Sequence, residues 1–165
     1  MRNTDLPIRI EAIVFSYDKE NKEVRYLVIK RSEEDGGFWQ PVTGTMEEGE
    51  YKTDCLMREI WEETSIDLDE TKNFIIPNVY HFEWKKNYPD GTWTITEYVF
   101  GVFVSEENMK RSLTLSHEHT DYKWVNFIDA LELFSMDNNK EALKRLDSYL
   151  RMDVISCLGK ITGEF

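Results

Sequence analysis

Short apolar stretches with strand character lie on both sides of one segment of helical period. Residues 8–17 and 24–30 are rich in β-branched and aromatic side chains. The polar run Asp18-Lys19-Glu20-Asn21-Lys22 separates them, so the pair is expected to form a hairpin. Glu34-Asp35-Gly36-Gly37 reads as a flexible loop leading into Phe38-Trp39-Gln40-Pro41-Val42-Thr43-Gly44. Two further strands are expected over 74–84 and 93–104, around the turn signal Asn87-Tyr88-Pro89-Asp90-Gly91, with a short one over 122–126. Helical spacing returns over 127–134 and 138–152, where Ala142, Leu143, Leu146, Tyr149 and Leu150 form the expected buried stripe of the second helix. No linker interrupts the chain, so residues 1–152 are expected to make a single domain. Residues 153–165 carry no period and are expected to be a mobile C-terminal tail.

Between Gly44 and Ile66 the chain reads GTMEEGEYKTDCLMREIWEETSI. At about 100° per residue a helix here gathers Glu59, Glu62 and Glu63 in one sector. Met57, Ile60, Trp61 and Thr64 fall opposite and make the expected buried stripe. Carboxylates at this spacing repel, and a hard divalent cation such as Mg²⁺ or Mn²⁺ converts that repulsion into coordination. A charged helix face is more often a solvated surface. Here the wider pattern of Gly44, Glu50, Arg58, Glu59, Ile60, Glu62, Glu63 and Ile66 decides. Chance would produce it in such a chain roughly once in a hundred thousand.

That pattern has the spacing of the Nudix box, and the chain resembles the Nudix hydrolases. The resemblance implies an α/β fold: an α/β/α sandwich with a mixed β-sheet, the box forming a loop-helix-loop. It implies cleavage of a nucleoside diphosphate linked to another group, with Mg²⁺ or Mn²⁺ as cofactor. By the same resemblance Glu59 and Glu63 are metal ligands and Glu62 is a further ligand or the general base. Gly44, Glu50 and Arg58 are structural, with Arg58 pairing with Glu50 or, at i,i+4, with Glu62. Ser65 stands where the box normally has glycine. A side chain in the left-handed conformation common there costs about 1 kcal/mol, so a small loss of stability is expected.

Residues outside the box narrow the resemblance. Phe38-Trp39-Gln40-x-Val42-Thr43-Gly44, followed by Glu47-Glu48-Gly49-Glu50, is similar to the bacterial dihydroneopterin triphosphate diphosphatases, also described as dATP pyrophosphohydrolases. Glu118-His119-x-x-Tyr122-Lys123-Trp124 is a second match. It implies that Glu118 reaches the metal centre from a loop, as ligand or base, and that a triphosphate is split between its α and β phosphorus atoms. Arg31, Gln40 and Trp39 are the candidate substrate contacts. Each also has a plain role: a surface arginine, a glutamine bonding its own loop, an aromatic packed in the core. His119 is either a base or only a neighbour of Glu118, and Lys123 points away from the face shared by Tyr122 and Trp124. Motifs typical of the ADP-ribose, NADH and coenzyme A branches are missing, which favours a nucleotide or pterin triphosphate. A non-catalytic ligand-binding domain and an acidic helix that merely faces solvent remain the competing classes.

Composition adds limits. The 165 residues carry a net charge of −12, which argues against direct binding of a nucleic acid backbone. Bound cations would reverse that field locally for an anionic small-molecule substrate. There is no apolar run long enough to span a membrane, and MRNTDLPIRIE lacks the apolar core of a signal peptide. Cys55 and Cys157 stand in no paired or zinc-like spacing, so a reducing cytoplasm is expected. Oligomeric state is left open by the sequence.

Overall fold

A computed structural model describes residues 5–68 and 73–154. Residues 155–165, most of the expected tail, lie outside the described residues. Strand β1 (Asp5–Asp18) is the centre of a seven-stranded sheet. It runs parallel to β6 (Gly91–Phe103) over Ile8 to Phe15. On its other side it pairs antiparallel with β2 (Glu23–Arg31) at one end and with β4 (Val42–Glu47) at the other. Beyond β2 lies β7 (His119–Val125), while β3 (Trp39–Gln40) pairs with the end of β2 on the side facing β1, and β5 (Phe74–Tyr88) forms the far edge against β6. One parallel pair among antiparallel ones makes the sheet mixed, as expected.

The β1–β2 hairpin closes because Asp18 Oδ1 accepts the amides of Glu20 and Asn21 at 3.0 and 3.1 Å. Alternation then sorts β1 between two cores. Ile10, Ala12 and Val14 face Leu56 and Ile60 of helix α1 (Lys52–Thr64). Ile13 and Phe15 face Ala130 of helix α3 (Phe127–Leu133), Phe134 just past its end, and Leu143 and Leu146 of helix α4 (Asp137–Tyr149). Helices therefore cover both faces, giving the α/β/α layering. Among the described residues no helix is long and apolar enough to cross a membrane.

Several elements differ from their expected extents. The β5–β6 hairpin runs on to a tight turn at Pro89-Asp90, with Tyr88 paired to Gly91. Its tip, including Lys85 and Lys86, is solvent-exposed and so has no apolar alternation to announce it. Residues 39–47 form two strands broken at Pro41, which lacks a ladder donor. Helix α2 (Glu106–Lys110), capped by Ser105 Oγ accepting Asn108 N–H, is too short to show a period. On α4, Ala142, Leu143, Leu146 and Leu150 are buried as expected. Tyr149 is not: it is 47% exposed, on the stripe's edge, lining an open groove with Ile76 and Val79 of β5.

Candidate active site

Helix α1 begins where Asp54 accepts the Tyr51 amide at 3.4 Å and ends at Ser65, whose φ of 61° is left-handed. Of the expected buried stripe, Ile60 and Thr64 are fully buried but Met57 and Trp61 are not. Trp61 is 54% and Met57 39% exposed, whereas Glu59 and Glu63 are 8% and 7% exposed. Leu56 and Ile60 pack on the sheet as a narrow seam, so the next residues round the helix, Glu59 and Glu63, enter the gap beside β4 and β7, and Trp61 turns to solvent. The backbone of β4 comes up against Glu59. A Cβ built on Gly44 would lie 2.0 Å from Glu59 Cδ, so glycine is required by close approach.

Arg58 organises the carboxylates. Its Nε and Nη2 donate to the two oxygens of Glu50 at 2.7 and 3.1 Å, a bidentate pair. Nη1 donates to Glu59 Oε1 at 2.9 Å and to Glu62 Oε2 at 3.3 Å, and Nη2 also reaches Thr45 O at 3.1 Å. Both expected partners, Glu50 and Glu62, are thus engaged. The hydrogen bond from Arg58 holds the Glu50 carboxyl below the usual range. Burial pushes Glu59 up to about 7; Arg58 opposes this, and the charges of Glu62 and Glu63 reinforce it. Cys55, a free thiol buried under the same arginine, is pushed up to about 12, chiefly by burial.

The opposing wall is built from β2, β3 and the loop before β7. Ser116 Oγ donates to Glu63 Oε2 at 2.5 Å, and His119 Nδ1 lies 2.6 Å from the same oxygen. Burial would raise the Glu63 carboxyl, but the hydrogen bonds from His119 and Ser116, with the charge of Arg31, bring it below its ordinary value. Gln40 is buried beside His119, its Nε2 3.3 Å from the ring Nε2. Arg31 Nη1 lies 3.5 Å from Glu118 Oε2 and Nη2 3.5 Å from Asp35. Trp39 is not brought to this wall: neighbouring Gln40 faces α1, so Trp39 lies across the sheet, with Lys123 5.0 Å over its ring.

Among the described residues no three His, Cys, Asp or Glu side chains are placed to share one ion. Arg58 stands among Glu50, Glu59 and Glu62, while His119 and Arg31 engage Glu63 and Glu118. The donor chemistry nevertheless fits a hard divalent cation. All candidate ligands are carboxylate oxygens, and Glu59 is desolvated and repelled by its neighbours, a condition a cation relieves.

Ser65 adopts the left-handed conformation anticipated for the box glycine and uses its hydroxyl, donating to Thr114 O at 3.0 Å. Ser65→Ala keeps the strained backbone and loses that bond, so it is expected to lower stability by about 0.5–1.5 kcal/mol. Ser65→Gly trades the bond for relief of strain and is expected to be neutral or stabilising by up to about 1 kcal/mol. Urea denaturation of both variants checks this, and a Ser65→Gly protein less stable than Ser65→Ala would contradict it.

One polar cluster escaped sequence reasoning. On the α4 side of the sheet Glu11 is fully buried, accepting Asn139 Nδ2 at 3.0 Å, with its Oε1 unpartnered. Glu97 accepts Trp84 Nε1 at 2.9 Å and lies 3.9 Å from Arg9, whose guanidinium donates to Thr43 and Thr45. The signal available was Arg9 and Glu11 at i,i+2 in an otherwise apolar central strand. Burial, then the charge of Glu97, pushes the Glu11 carboxyl well above its ordinary value. A raised acid stabilises fully below its unfolded value near 4.3 and loses that contribution as pH rises through the folded one. Glu11→Gln is therefore expected to melt roughly 2–6 °C higher than the parent at pH 8, the gap closing towards pH 4. Thermal scans across that range test it; a constant or inverted gap would count against it.

Comparison with known proteins places this geometry. The profile of the NUDIX domain matches residues 7–146. A dihydroneopterin triphosphate diphosphatase from Haemophilus influenzae is 30% identical over 141 residues, covering 81% of this chain and 84% of the relative. The Escherichia coli protein of that name is also 30% identical, over 145 residues, 84% of this chain and 91% of the relative. The structure of the Escherichia coli dihydroneopterin triphosphate pyrophosphohydrolase superposes with a TM-score of 0.71 at 27% identity, covering 87% of this chain and 97% of that one. Nudix hydrolases generally use divalent metal ions and bind nucleotide-type small molecules. The glycine pressed on Glu59, the arginine-bridged glutamates and the matched span have one common explanation: the chain belongs to the Nudix family and is a hydrolase of phosphoanhydride bonds.

Proposed function

We propose that the protein is a cytoplasmic pyrophosphohydrolase, its catalytic unit the single domain of residues 1–152, that splits a triphosphate between the α and β phosphates. Dihydroneopterin triphosphate is the first candidate substrate and a purine deoxynucleoside triphosphate the second. The observation that carries this reading is the row of carboxylates on α1, with Glu59 and Glu63 buried against the sheet and Glu62 exposed beside them, close enough that the charges of Glu62 and Glu63 help burial to push Glu59 up to about 7. The named diphosphatase relatives support the substrate class, and the buried free Cys55 suits a reducing compartment.

Glu59, Glu62, Glu63 and Glu118 would hold Mg²⁺ or Mn²⁺. When bound, the cation supplies charge neutralisation at phosphate oxygens and a water of lowered pKa. The chain's own groups orient and move protons. Arg31, half-buried and 3.5 Å from Glu118, would meet a phosphate oxygen. Gln40, buried beside His119, would be a further substrate contact through the rest of its amide. Glu62 and Glu118, with side chains 51% and 44% exposed, remain open to take a proton at a carboxylate oxygen. A panel of dihydroneopterin triphosphate, dATP, dGTP, ADP-ribose and diadenosine tetraphosphate with Mg²⁺ tests the reading. Pyrophosphate release from a triphosphate is the expected result. Orthophosphate release, or preference for a dinucleotide, would overturn it.

A further inference from the structure

The loop before β7 and the first residue of that strand carry side chains that the carboxylate chemistry alone does not explain. Ser116 and His119 are tied by the turn bond from His119 N–H to Ser116 O at 3.2 Å, and Ser116 N–H donates to the Glu63 carbonyl at 3.3 Å. The backbone therefore fixes both residues against the last turn of α1. The side-chain bonds to the Glu63 carboxylate then fall on one oxygen: Oε2 is 2.5 Å from Ser116 Oγ and 2.6 Å from His119 Nδ1. Ser116 Oγ also lies 3.3 Å from Nδ1. The histidine is enclosed, its side chain only 2% exposed, with Gln40 Nε2 3.3 Å from the other ring nitrogen. An amide NH₂ is a donor only, so Nε2 accepts, and the ring proton sits on Nδ1, facing Glu63.

We propose that His119 is a positioning residue: locked by Gln40 as the Nδ1–H tautomer, it fixes Glu63 by Oε2, with Ser116, so that Oε1 is the oxygen offered to the divalent cation. This rests on the reading of Glu63 as a cation ligand given above. Partners behind a liganding group fix its orientation, and losing one typically weakens metal affinity by about 10–100-fold. The arrangement also explains why a histidine is needed at this place. It must donate on one side and accept on the other, in a buried slot between β3 and α1, and imidazole does both through a rigid ring.

The test is Mn²⁺ binding to the full-length protein without substrate, followed by the electron paramagnetic resonance signal of free Mn²⁺. His119→Ala is expected to weaken binding by about 10–100-fold. His119→Asn, whose amide N–H stands close to the place of Nδ1, is expected to recover to within about five-fold of the parent, and Ser116→Ala to lose several-fold. In steady-state assays the Mg²⁺ requirement of His119→Ala rises, while KM at saturating Mg²⁺ stays near that of the parent. Nitrogen NMR of the metal-free protein is expected to show the Nδ1–H tautomer for His119. Parent-like or tighter Mn²⁺ binding by folded His119→Ala would overturn the proposal, as would the Nε2–H tautomer. Should His119→Ala fail to fold, unchanged affinity in Ser116→Ala overturns it instead. A parent protein with neither Mn²⁺ binding nor hydrolysis defeats the proposed function. One that binds and hydrolyses, beside an unaffected His119→Ala, defeats only this inference.

Discussion

Glu63→Gln, and separately Glu62→Gln, is expected to lower turnover of the triphosphate that the parent hydrolyses by about two orders of magnitude or more while the protein stays folded. The amide keeps the size of the carboxyl and, at position 63, still offers an oxygen to Ser116 and His119. Packing is therefore preserved, and a melting temperature within roughly 3 °C of the parent is expected. What disappears is the charge that a cation or a proton requires. For Glu62, whose only described side-chain bond is to Arg58 at 3.3 Å, the loss is chemical more than structural. Steady-state rates at saturating Mg²⁺, with circular dichroism to confirm folding, decide the matter. Near-normal rates in both variants would remove the carboxylate wall from the mechanism.

Gly44→Ala is the second change with a large expected effect. The added methyl would sit 2.0 to 2.2 Å from Cδ, Cγ and Oε1 of Glu59, far inside contact distance. Glu59 cannot swing away freely, because Arg58 holds its Oε1 at 2.9 Å and the surrounding core is closed. Either β4 moves off α1 or Glu59 leaves the site. A loss of roughly 100-fold in kcat, with destabilisation of about 1–3 kcal/mol, follows from a misplaced ligand in an overpacked contact. Activity and urea unfolding should fall together. An alanine variant with parental rate and stability would mean that the contact between β4 and Glu59 is looser than described.

Much of this was legible in the chain because it is local. The box spacing found Gly44, Glu50, Arg58 and the three glutamates, and strand alternation placed β1, β2 and most of β5 and β6. The misreadings share a physical cause. The pattern puts Trp61 inside because hydrophobicity along one helix does not reveal that its neighbours Glu59 and Glu63 meet β4 and β7. Tyr149 was assigned inside because the stripe's edge is defined by β5, distant in sequence. The partners of Glu63 and Glu11 lie 53 and 128 residues away, so no window along the sequence brings them together. Ser116 was invisible for the same reason. Trp39 and Gln40 are neighbours in one motif, yet one residue of strand separates the two faces of the sheet.

The parallel seam between β1 and β6 has a consequence for the order of assembly. The first strand of the chain finds its β6 neighbour only with residues 96–103, so the ribosome must release most of the protein before the middle of the sheet can close. Until then β1 can pair with β2 and β4, leaving a bare, strongly apolar edge. Such an unpaired edge invites association with another nascent chain. Truncations ending before β6 would therefore be prone to aggregate, however complete helix α1 is within them.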